Sequence, residues 1–141
     1  MSSLTLVFGT LLYAGIKLSG YALFAKVLNR LFSRSRNIWK IGVVRTLLGV
    51  VLGLAHNAFF LNFFKVSMGR APLGGEDTWL YFLFLVILRI LEWGLIIYWF
   101  YDKDFQQKKP VFTGIILGIL WSFVLDIPII VGLFTVAASI C

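Results

Sequence analysis

WLYFLFLVILRILEWGLIIYWFY, residues 79–101, is apolar at almost every position, yet it carries Arg89 and Glu92 one helical turn apart near its middle. A run of this length with so little charge reads as a helix that crosses a bilayer, which takes roughly 20 apolar residues. Charged side chains inside such a span are costly in lipid and almost always face protein or a water-filled cavity. The stretch therefore predicts a membrane architecture and, with it, a polar interior shared with other helices.

The rest of the chain has the same character. Hydrophobic residues make up 60% of the 141, charged residues 13%, and the mean hydropathy is +0.95, well above the balance of a water-soluble domain. Apolar runs over about 4–28, 38–64, 79–101 and 111–138 predict four helices. The expected fold class is an all-α integral membrane protein, a four-transmembrane-helix bundle with a polar and charged interior, with residues 1–141 as a single domain. The amino-terminal segment runs apolar before it becomes basic, the reverse of a secretory signal peptide, so it reads as a retained first span. Pro110 suits the first turn of the fourth helix, where its missing N–H is no loss.

The formal charge of +7 and pI near 9.9 report topology before they report a nucleic-acid partner, and none is expected. Arg30, Arg34, Arg36 and Lys40 fall in the connection 29–40, and Lys103, Lys108 and Lys109 in 102–110, whereas the connection between them has only Lys65 and Arg70. The positive-inside rule places 29–40 and 102–110 on the cytoplasmic side and both termini outside, in the cytoplasmic (plasma) membrane. Trp39, Tyr98, Trp99 and Tyr101 are expected at the inner interface and Trp79 and Tyr81 at the outer one, while Trp93 and Trp121 fall deeper, as packing residues.

Counting about 1.5 Å per residue from the cytoplasmic edge groups Lys17, Arg45, Arg89 and Glu92 in one layer, and His56, Asn57 and Asp126 in a second, further out. Helical spacing turns these residues inward. Arg45, Gly49, Gly53 and His56 form one stripe; Gly114, Gly118, Ser122 and Asp126 form another; Thr10, Tyr13, Lys17 and Tyr21 a third; Arg89, Glu92 and Ile96 a fourth. The glycines in GVVLG and GIILG lie on the charged sides, so close packing and polarity select the same interior.

Three bases against Glu92 leave the inner layer with a formal excess of two positive charges, which an anion could complete. Guanidinium groups suit phosphate and carboxylate. The leading expectation is therefore a cationic pocket of Lys17, Arg45, Arg89 and Glu92 that binds, and in translocation or presentation would carry, an anionic lipid-like ligand such as an acidic phospholipid or polyprenyl phosphate. Against it stands a plainer reading, in which Arg45 reaches back to the interface and Arg89 with Glu92 is structural.

His56, Asn57 and Asp126 suggest a proton relay, or a general base oriented by a carboxylate. A proton- or ion-conducting protein is the first alternative function, and a structural subunit of a larger membrane complex, or a homo-oligomer, the second. His56 and Asp126 are the catalytic candidates, but no nucleophile elbow, P-loop or dinucleotide fingerprint accompanies them, and the sequence leans away from an enzyme. One histidine and a lone cysteine, Cys141, supply no metal site and no cofactor attachment.

Overall fold

The computed structural model describes residues 3–64 and 78–130, with the side chains of residues 3–7 and 128–130 and of several others, Thr10, Asn57 and Tyr81 among them, outside the description. Four helices account for nearly all of it: α1 (Ser3–Leu31), α2 (Ile38–Phe64), α3 (Thr78–Phe100) and α4 (Lys108–Ile130). The expected limits agree to within about a turn, and residues 131–138 of the expected fourth helix lie outside the described residues. Stretches of 19 to 21 residues in the four helices are long and apolar enough to cross a membrane, about 30 Å at 1.5 Å per residue.

Each helix packs on two neighbours, α1 on α2 and α4, and α3 on α2 and α4. The arrangement reverses the polarity of a water-soluble bundle. Large apolar side chains, including Phe8, Leu11, Val51, Leu54, Phe112 and Leu120, are exposed on the outside, while Lys17, Arg45, Arg89 and Glu92 are buried.

Specific local chemistry starts and stops the helices. Chain reversal after α1 is a Schellman motif, in which Arg34 N–H donates to Asn29 C=O (2.9 Å), Ser33 N–H donates to Arg30 C=O (3.3 Å), and Ser33 has a left-handed φ of 50°. Asn37 then caps α2, its Oδ1 accepting the N–H groups of Trp39 (3.0 Å) and Lys40 (3.2 Å). Before α4, the Asp102 carboxylate accepts the Gln107 N–H at 2.8 Å. That bond, with help from neighbouring backbone N–H groups, holds the Asp102 pKa below its ordinary value.

Both described connections lie at the same end of the bundle, where three side chains tie them together. Arg36 Nε donates to Phe100 C=O at 2.9 Å, Asn29 Nδ2 donates to Arg36 C=O at 2.9 Å, and the Tyr101 hydroxyl donates to Asn29 Oδ1 at 2.8 Å. Tyr101 is thus a buried lock, its hydroxyl held by partners on α1. Trp39, Tyr98, Trp99 and Trp79 are exposed.

Below this knot lies an apolar plug of Phe24, Leu28, Ile41, Ile97 and Val111, all buried. Trp93 forms its floor. Its ring meets Phe24 edge-on (centroids 4.8 Å apart) and Tyr21 at 5.9 Å, contacts of the kind aromatic quadrupoles favour. The plug separates the basic end of the bundle from the charged residues beneath it.

Candidate functional site

The charged residues of all four helices meet under the plug. Lys17 comes from α1, Arg45 from α2, Arg89 and Glu92 from α3, and Asp126 from α4. Glu92 takes two guanidinium groups: Arg45 Nη2 lies against its Oε2 at very short range, and Arg89 Nη1 donates to the same oxygen at 3.1 Å. Arg89 continues the chain by donating from Nη2 to Asp126 Oδ2 at 3.0 Å. The other Asp126 oxygen accepts Lys17 Nζ at 2.8 Å and the Tyr13 hydroxyl at 3.0 Å. Four ion pairs therefore form one continuous network, in which Arg89 bridges the two carboxylates.

Neutral groups steady this network. Ser122 Oγ accepts the Trp93 indole N–H at 3.1 Å and lies 3.4 Å from Arg45 Nη2. The Arg45 guanidinium also sits over the Tyr21 and Trp93 rings, 4.6 and 4.9 Å from their centroids, where the ring faces attract a cation. Desolvation makes each of these contacts matter: Arg45 is 0% exposed, and an ion removed from water costs several kcal/mol unless paired and hydrogen-bonded. Gly49 permits the arrangement, since a Cβ there would stand 3.0 Å from Arg45 Nη1.

The four residues expected in the inner layer are brought together, and Asp126 joins them. Its placement corrects the two-layer expectation. Depth counted along the helix axis locates Cα atoms, but Lys17 and Arg89 carry long side chains that reach across the separation to the α4 carboxylate. The expected His56–Asp126 pair does not form, because Asp126 turns to Tyr13, Lys17 and Arg89; a relay or a catalytic base built on that pair has no support in this geometry. His56 is buried and borders a small cavity with Gly49, Gly53, Arg89 and Glu92. Asn57 lies outside the described side chains.

Tyr13, Ser122 and Trp93 were visible in the sequence as members of inward stripes or as a packing residue, but nothing there marked them as partners of the charges. Among the described residues no group of three or more His, Cys, Asp or Glu side chains could hold a metal ion.

Two charge features remain. Three cations face two carboxylates, a formal excess of one positive charge among the described residues. Arg45 Nε, Arg45 Nη1 and Arg89 Nε are buried and donate to none of the described residues. Cavities of about 10 and 20 Å³ border the cluster on either side of Gly49 and Arg89, the second also lined by Lys17, Tyr21 and Thr46. Each is about the size that holds one water.

No family model, curated relative or solved structure matches the chain.

Proposed function

We propose that this chain is an integral membrane protein whose buried cationic cluster binds the acidic group of a lipid-like ligand. The four helices would span the cytoplasmic membrane, with the knotted end and its basic connections at the cytoplasmic face. The outward apolar surface supports the insertion, and the excess of lysine and arginine at one end supports the orientation.

The observation that carries the ligand reading is the imbalance in the cluster: cations outnumber carboxylates, and three buried guanidinium nitrogens, Arg45 Nε, Arg45 Nη1 and Arg89 Nε, lack acceptors among the described residues. A carboxylate or phosphate group would supply both the charge and the acceptors. The bordering cavities are too small to admit such a group beside the existing network. Entry would therefore proceed by exchange with Asp126, whose side chain is 17% exposed against 3% for Glu92 and 0% for Arg45. Lys17 and Arg89 would transfer from Asp126 to the ligand, while Glu92 and Ser122 hold Arg45 in place. The apolar plug closes the cluster toward the basic end, so exchange would occur from the other half of the bundle.

Native mass spectrometry of the gently purified protein tests this reading. Lys17→Met should lose an acidic lipid that wild type retains, and Asp126→Asn, which removes the competing carboxylate, should retain more of it. Identical lipid content in all three proteins would leave the cluster a purely structural device.

A second reading, proton or ion conduction, draws on the two small cavities, which share Gly49 and Arg89 as lining residues, one bordered by His56 and the other by Lys17. Proton flux in proteoliposomes that vanishes on Asp126→Asn would favour it over ligand binding.

A further inference from the structure

Outside the charged interior, α3 and α4 part to form an open groove of about 900 Å³ on the surface of the bundle. Ile90, Gly94 and Tyr98 line it from α3, Ile115 and Lys108 from α4, and Phe105 from the connection between them. It runs roughly 10 Å along the helices, from Lys108 to Ile115. Its volume is within the range of small-molecule sites, and its walls are apolar except at one end.

That end has a defined construction. Tyr98 and Phe105 stack with centroids 5.9 Å apart, and Phe105 is held at a left-handed φ of 49°. Lys108, the first residue of α4, stands at the mouth. The Asp102 carboxylate already takes the Gln107 N–H there, so an arriving anion would meet the lysine ammonium rather than the helix terminus. The groove is open where α3 lacks a side chain: a Cβ built on Gly94 finds nothing within 4 Å.

We infer that this groove binds a phospholipid with an acidic head group, its acyl chain between α3 and α4 and its head at Lys108. The inference rests on the proposed membrane placement but not on the interior cluster. Charge and shape select the occupant together. A zwitterionic lipid fills the same apolar channel but carries no net charge to match Lys108, whereas an acidic lipid satisfies both ends. The second apolar groove, between α1 and α4, is lined by Leu23, Phe24, Val27, Leu117, Leu120, Trp121 and Val124 and offers no cation.

The test titrates the detergent-solubilised full chain with phosphatidylglycerol and, separately, phosphatidylcholine, and reads the first bound lipid by native mass spectrometry. Wild type should prefer phosphatidylglycerol about fivefold, the effect of one lysine near a lipid surface. Lys108→Gln should bring the two lipids level. Gly94→Leu, which extends into open space and raises helix propensity, should weaken both several-fold without lowering the melting temperature. A preference that survives Lys108→Gln, or Gly94→Leu protein that binds both lipids as wild type does, overturns the site. Lys17→Met separates the two proposals: groove binding is expected to persist in it, and loss of the preference there, with both groove variants behaving as wild type, would assign the lipid to the interior cluster instead.

Discussion

Trp93 lies so close to Gly118 that a Cβ built on the glycine would stand 2.5 Å from Cδ2 of the indole ring. The contact brings α3 and α4 together and aims the indole N–H at Ser122, the same hydroxyl that Arg45 approaches. A small residue on one helix therefore positions an aromatic ring on the next, and the ring in turn helps to position a buried cation.

Gly118→Ala should displace the indole, because neither the rigid ring nor the helix backbone can yield as a flexible side chain would. Overpacking of this kind costs about 1–3 kcal/mol. Gly15→Ala is the control: its Cβ has nothing within 4 Å, and the better helix propensity should leave stability unchanged or raised by up to about 1 kcal/mol. Thermal unfolding in detergent compares them, and equal melting temperatures would show that the Trp93 contact is not a tight one.

Glu92 receives both Arg45 and Arg89, so its loss strands two buried guanidinium groups at once. Glu92→Leu should destabilise the bundle by about 3–5 kcal/mol, the range for breaking a buried pair from one side. Arg45→Met combined with Glu92→Leu should recover part of that loss, since one stranded cation is removed as well. Additive losses in the double variant, measured by the same unfolding assay, would mean that the pair is not coupled.

Burial holds the Tyr101 phenol above its ordinary pKa of 10.0, against a smaller opposing pull from Arg36. The folded protein thus keeps this proton more tightly than the unfolded chain does. The resulting stability is complete below pH 10 and is lost as pH rises from there toward the folded value. Tyr101→Phe should lower stability at neutral pH by about 1 kcal/mol through the lost hydrogen bond to Asn29, and should flatten the alkaline decline. An unchanged alkaline arm in the variant would assign that decline to other groups.

Because Arg36 joins the first connection to the end of α3, residues 33 and 103 lie at the same end of the bundle. With Cys141 replaced by serine, Ser33→Cys and Lys103→Cys should both react with an impermeant thiol reagent from the cytoplasmic side of inverted vesicles, and neither from the external side. Labelling from the external side alone would reverse the proposed orientation, and labelling of the two residues from opposite sides would contradict the fold itself.

By itself the sequence determined the four helices and their inward faces. Long apolar runs leave few other ways to satisfy backbone N–H and C=O groups, and helical spacing collects Arg45, Gly49 and His56, or Gly114, Gly118 and Ser122, on one side whatever the neighbours are. Only the tertiary structure decided the partners. Counting residues along an axis measures depth at Cα, whereas the ends of Lys17, Arg45 and Arg89 are set by several rotatable bonds and by which carboxylate the packing offers. Asp126 therefore went to Lys17 and Arg89 rather than to His56. The knot of Asn29, Arg36 and Tyr101 was hidden for a related reason: Tyr101 lies 72 residues from Asn29 in the chain, and each member, taken alone, is an ordinary residue at or beside a helix end.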